Sequence, residues 1–92
     1  MNIFTTTGRA IGDPQTGHTL AGKTKCMFVI EADAEANDLP LRFSCVTFGG
    51  VAERAAEIVD GNHLLVSGKL VGNAHTKSMN MIVNNIEVLG EN

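Results

Sequence analysis

Residues 43–70, FSCVTFGGVAERAAEIVDGNHLLVSGKL, decide the fold of this chain. An apolar strand pattern ends in Phe48-Gly49-Gly50, a short helical pattern follows, and a second apolar strand pattern begins after Asp60-Gly61. One helix between two strands, in a chain of only 92 residues, predicts a small β-barrel that binds a ligand.

The residues before and after the two glycines have different apolar spacing. In the strand predicted from Leu41 to Phe48, alternate side chains share a face. One face mixes a cation, a hydroxyl and an aromatic ring: it consists of Arg42, Ser44, Val46 and Phe48. From Val51 to Val59 the apolar residues follow helical spacing, which predicts a two-turn amphipathic helix that ends at Asp60-Gly61.

The rest of the chain supplies three more strand patterns. The five predicted strands are Ile3–Arg9, Lys25–Ala32, Leu41–Phe48, His63–Leu70 and Met79–Leu89. A turn is expected at Gly12-Asp13-Pro14, and an acidic loop from Asp33 to Pro40. In the fifth strand one face should hold Met79, Met81 and Val83, and the other Ile82, Ile86 and Val88. The order predicts an all-β, five-stranded barrel with one short helix between strands 3 and 4, an oligonucleotide/oligosaccharide-binding (OB) fold in a single domain, residues 1–92.

Charge and cysteine content limit the possible functions. Seven basic and ten acidic residues give a net charge of -3, so any nucleic-acid binding must depend on a local cationic patch. Cys26 and Cys45 lie in apolar strand patterns without a leader sequence before them, which predicts buried free thiols and a cytoplasmic location, in the bacterial cytosol or nucleoid. No apolar run is long enough to cross a membrane.

Motifs along most of the chain resemble the bacterial and phage single-stranded DNA-binding protein family. The resemblance rests on Gly8-Arg9, Gly12-Asp13-Pro14, Phe28, Val46-Thr47-Phe48-Gly49, Val51-Ala52-Glu53, Asp60-Gly61 and Leu65-Val66-Ser67-Gly68-Lys69-Leu70, in that order. It implies a homodimer or homotetramer that coats single-stranded DNA without sequence preference in replication, recombination or repair. It also implies that no reaction is catalysed and that no cofactor, metal or small-molecule substrate is needed.

The resemblance also suggests which side chains contact DNA. The aromatic at the position of Phe48 stacks on a base, and neighbouring cations contact phosphates, as expected for binding that ignores sequence. The predicted DNA-binding residues are Phe48, Arg42, Ser44, Arg9, Lys23, Lys25, Lys69 and Lys77.

Two departures from the family pattern leave a second function open. Members commonly carry tryptophan in the third strand, where this chain has Arg42, whose guanidinium can lie on a base. The chain also stops at residues 90–92 without the acidic tail of bacterial members, which favours a phage or plasmid version or an accessory primosomal relative. The alternative is therefore an OB-fold protein-interaction module with weak nucleic-acid binding.

Other signals have structural explanations. Residues 17–24, GHTLAGKT, match the phosphate-loop pattern of nucleotide triphosphatases, but a strand pattern rather than a helix follows them. His18, His63 and His75 are too far apart for a zinc site. Aromatics in strand patterns usually pack in the core, which is the expectation for Phe4 and Phe28, whereas Phe43 is assigned to the core or to a subunit interface.

Overall fold

Five strands and one helix make up the fold in the computed structural model, which describes residues 1–72 and 79–90. The elements are β1 (Phe4–His18), β2 (Thr24–Ala32), β3 (Arg42–Phe48), α1 (Gly50–Ala55), β4 (His63–Gly72) and β5 (Met79–Gly90). The strands form a closed barrel in the order β1-β2-β3-β5-β4, in which all pairs are antiparallel except β3 with β5. The predicted barrel with one short helix between the third and fourth strands is confirmed.

The core lies inside the barrel, because alternate side chains of each strand point inward. In β3 the alternation is as expected, with Phe43, Cys45 and Thr47 buried. Phe28 is also buried, and the half-buried Phe4 packs against Phe43 with 5.3 Å between the ring centroids. These three aromatics therefore belong to the packed interior.

Both cysteines are buried and free, as the sequence predicts. Burial raises the pKa of the Cys45 thiol to about 12 and also raises the pKa of Cys26, because a thiolate loses its hydration inside the barrel. Neither thiol is poised to act as a nucleophile, since nucleophilic attack requires the thiolate.

The predicted turn at Gly12-Asp13-Pro14 is wrong, because β1 continues through it to His18. The register with β2 shifts between Ile11 and Gln15, which places the glycine and proline in a bulge. Gly12 adopts φ 76°, and its N–H donates to Asp60 Oδ1 at 2.6 Å. Glycine and proline suit a bulge as well as a turn, since both interrupt regular strand pairing.

The helix is shorter than predicted. It ends at Ala55, after which N–H groups of Glu57 and Ile58 bond to carbonyls three residues earlier. The chain then turns around Asn62, whose side chain accepts the Val59 N–H at 2.8 Å. Val59 is 58% exposed rather than packed on the predicted apolar stripe.

The predicted faces of β5 are correct only in its first half. Gly68 pairs with Val83 but Ser67 pairs with Asn85, so one extra residue is inserted in β5 at this point. Because a one-residue insertion reverses the alternation, Ile86 is buried on the same side as Met81 and Val83.

Residues 17–24 form the β1–β2 hairpin and not a phosphate loop. The Thr19 N–H donates to Lys23 O at 2.8 Å, and Gly22 takes φ 84° in the turn. Strand β2 begins at Thr24, so no helix follows the glycine. The motif is thus a chance match to the phosphate-loop pattern.

Candidate functional site

The outer face of β2 and β3 carries four of the eight residues predicted to bind DNA. Paired residues point to the same side of a sheet, and four outward pairs cross these two strands. The pairs are Lys25 with Phe48, Met27 with Val46, Val29 with Ser44, and Glu31 with Arg42. We call these eight residues the outer face.

Phe48 lies at one end of the outer face with two lysines around it. The ring is half-buried, lies opposite Lys25, and has the Lys23 ammonium 5.9 Å from its centroid. That distance permits a cation–π contact. The structure therefore brings Phe48, Lys23 and Lys25 together outside the core.

A concave groove of about 340 Å³ occupies the middle of the outer face and reaches the bulge in β1. Both apolar and polar side chains line it. The apolar side chains are Ile11, Met27, Val29 and Val46, and the polar ones are Asp13, Gln15, Ser44 and Asn80. Apolar surface combined with a few polar groups suits the flat surface and hydrogen-bonding edge of a nucleobase.

The far end of the outer face is a row of charged side chains. His63, Arg9, Glu31 and Arg42 lie in register across β4, β1, β2 and β3. The Nε of Arg42 lies 2.9 Å from Glu31 Oε2, and Arg9 Nη1 donates to Gly61 O at 3.0 Å. We call these four residues the charged row.

The other predicted site residues lie at different places. Ser44 is exposed and lines the groove. Lys69 lies on β4 opposite Ile82, so β5 separates it from β3. Lys77 lies outside the described residues. Some of the predicted residues are therefore neighbours on the outer face, whereas Lys69 lies on a strand beyond it.

Sequence reasoning missed the groove. Met27 and Val29 alternate with the buried Cys26, Phe28 and Ile30, and Met27 is 45% exposed. An apolar residue on the outward side of an alternating strand was a detectable signal. The contribution of Ile11 and Asn80 depends on the β1 bulge and on the β3–β5 pairing, which local patterns do not reveal.

The acidic loop after β2 is tied to the barrel through Asp33. Its Oδ2 accepts the Thr7 hydroxyl at 2.6 Å and lies 2.8 Å from His63 Nε2. The Thr7 bond, then the His63 bond, and also the positive charges of His63 and Arg9 lower the pKa of Asp33. The loop is therefore held beside the charged row.

We expect the hydrogen bonds of Asp33 to make the stability of the folded barrel depend on pH. Because the pKa of Asp33 is lower in the folded state, its ionised form stabilises the fold above the unfolded-state pKa of about 4, and the contribution disappears as the pH falls through the folded value. Since the carboxylate is half exposed, the contribution should be below about 1 kcal/mol. Urea unfolding should show Asp33→Asn less stable than wild type at about pH 5, with the difference narrowing as the pH is lowered below about 4. An unchanged gap between the two proteins would contradict the assignment.

Within residues 1–72 and 79–90, no three His, Cys, Asp or Glu side chains are grouped so that they could hold a metal ion. Across the same ranges, no helix has the length and apolar character needed to cross a membrane.

Comparison with known proteins identifies the fold. No family model and no curated protein matches the sequence. Among solved structures, the SSB domain of a Synechococcus sp. protein matches with a TM-score of 0.83 at 19% identity, covering 95% of this chain and 94% of that chain. The wild-type single-stranded DNA-binding protein of Thermus aquaticus matches with a TM-score of 0.86, and a deletion mutant of it with 0.87, each at 21% identity. Those two matches cover 100% of this chain but 42% of the Thermus chains. This protein therefore has the OB fold of single-stranded DNA-binding domains.

Proposed function

We propose that this chain binds single-stranded DNA without sequence preference, in DNA replication, recombination or repair in a bacterial cytoplasm. The observation that carries the proposal is the outer face, where an aromatic ring with two lysines adjoins an apolar groove. The shared fold with SSB domains gives independent support. The protein acts as a passive binder and not as an enzyme.

The Phe48 end of the outer face and the groove have separate tasks in this proposal. One base stacks on Phe48, displacing the Lys23 ammonium from the ring, and the next base lies in the groove against Met27 and Val46. Lys23 and Lys25 pair with the phosphates beside those bases. Arg9, Lys69 and Lys77 remain predicted phosphate contacts at the margins.

Binding by one subunit should be weak, because the outer face has a single aromatic ring. Stacking is worth about 1–3 kcal/mol per base. The proposal therefore includes self-association into a homodimer or homotetramer, which raises the effective concentration of binding sites along one strand.

We expect the affinity for DNA to fall with salt. Each phosphate paired on a single strand adds about −0.7 to the slope of log K against log[salt]. With Lys23 and Lys25 as the principal contacts, the slope should be about −1.4. Fluorescence polarisation of a labelled thymidine oligomer over a series of salt concentrations measures it, with a duplex of equal length as the control. An affinity that ignores salt, or that is equal for the duplex, contradicts the proposal.

The alternative, a protein-interaction module, predicts a different outcome in a simple test. Size-exclusion chromatography with and without the oligomer should show comigration if the chain binds DNA. An unchanged elution volume, with free oligomer eluting separately, would favour the interaction module.

A further inference from the structure

Arg42 already has a partner at the binding face of the free protein. Its Nε lies 2.9 Å from the Oε2 of Glu31, and the two side chains are 63% and 32% exposed. Glu31 also lies in register with Arg9 on its other side. Glu31 therefore lies between Arg9 and Arg42 in the strand register, at the end of the outer face where a DNA strand would leave the groove.

The two ends of the outer face differ in how their cations are paired. Lys23 contacts the neutral Phe48 ring, which leaves its positive charge available to a phosphate. At the charged row, Arg42 is neutralised by Glu31. Acidic residues of the neighbouring loop, Asp33, Glu35 and Asp38, line a cavity of about 300 Å³ together with Arg9 and Glu31. One end attracts phosphate, whereas at the other end the four carboxylates outnumber the two guanidinium groups.

Distance makes the effect of Glu31 local. Phe48 and Arg42 are six residues apart on β3, which corresponds to roughly 20 Å. Charges are largely screened beyond about 10 Å at 0.1 M salt. Glu31 therefore has little direct influence on phosphates at Phe48, and its effect on binding must pass through Arg42.

We propose that Glu31 competes with DNA phosphate for Arg42 and so limits both the affinity and the length of strand that one subunit binds. This inference rests on the proposed function. In the free protein the Glu31 carboxylate is paired with the Arg42 guanidinium. A DNA phosphate can contact Arg42 only by displacing that carboxylate. The strand is thus held firmly between Phe48 and the groove and weakly beyond Ser44.

Removing the competing charge should increase DNA binding. Glu31→Gln should bind a labelled thymidine oligomer roughly fivefold tighter at about 0.1 M salt, because an exposed ion pair no longer has to be broken. It should also steepen the salt slope by about 0.7, the value for one added phosphate contact. Glu87→Gln is the matched control, since Glu87 is exposed on β5 opposite Leu65 and outside the outer face.

A double variant tests the route of the effect. Adding Arg42→Ala to Glu31→Gln should return the affinity to about the wild-type value. An equal gain in Glu87→Gln, or a gain that survives Arg42→Ala, would show a general charge effect and overturn the proposal. Wild-type binding with no gain in Glu31→Gln would overturn this inference alone, whereas absence of binding by both proteins would overturn the proposed function with it.

Discussion

Replacing Phe48 by alanine should weaken the binding of a thymidine oligomer by about 1–3 kcal/mol, roughly 5- to 150-fold. The chain has four phenylalanines and no tryptophan or tyrosine. Phe28 and Phe43 are buried and Phe4 packs against Phe43, so Phe48 is the one ring on the outer face. No second aromatic can replace its stacking.

Two further variants separate stacking from packing and folding. Phe48→Leu keeps apolar bulk but not the ring, and should bind nearly as weakly as Phe48→Ala. Phe48→Trp should retain binding and, since the chain has no other tryptophan, its fluorescence should be quenched when a base stacks on it. Circular dichroism confirms that each variant is folded. Wild-type affinity in Phe48→Leu would contradict a stacking role for this residue.

Replacing Gly68 by alanine should destabilise the barrel by about 3 kcal/mol, a large loss for a domain of this size. A Cβ at this position would collide with the Ile82 carbonyl and lie 2.9 Å from the Cα of Val83 on β5. Backbone atoms of a paired strand cannot rotate away as a side chain can. The β4–β5 pairing must therefore separate beside the inserted residue in β5.

Thermal unfolding measures this effect, and the same strand supplies a control. For a domain of 60–100 residues, about 3 kcal/mol corresponds to a Tm lower by roughly 12–24 °C. Gly72 also lies on β4, but a Cβ there would meet no atom of residues 1–72 and 79–90 within 4 Å, so Gly72→Ala should change the Tm by only a few degrees. Equal melting of the two variants would show that the close approach at Gly68 is unimportant.

Local sequence patterns were sufficient to predict the strands in which side chains alternate regularly between the two faces. The alternation in β3 placed Arg42, Ser44, Val46 and Phe48 on one side because a buried face fixes the register of a strand. The bulge at Gly12-Asp13-Pro14 and the inserted residue in β5 were missed. A glycine and a proline indicate a turn as readily as a bulge, and the Asn84-Asn85 region carries no signal of its own.

Members of the candidate site could be named from the sequence strand by strand, whereas their arrangement across paired strands could not. Lys25 and Phe48 are far apart in the sequence, and only the β2–β3 register shows that they are opposite. The same register puts Glu31 against Arg42, a pairing that composition alone could not assign. Lys69 looks equivalent to Lys25 in the sequence, yet β5 lies between it and the outer face.

The pairing of β1 has a consequence for synthesis on the ribosome. Phe4 to Arg9 pair with His63 to Gly68, so these residues wait for a strand made about 60 residues later. Until then the nascent chain holds one edge of β1 unpaired, and unpaired edges recruit strands from other chains. Fragments that end before β4 should consequently be prone to aggregation, and the barrel closes only after β5 has also been made, because β5 lies between β3 and β4.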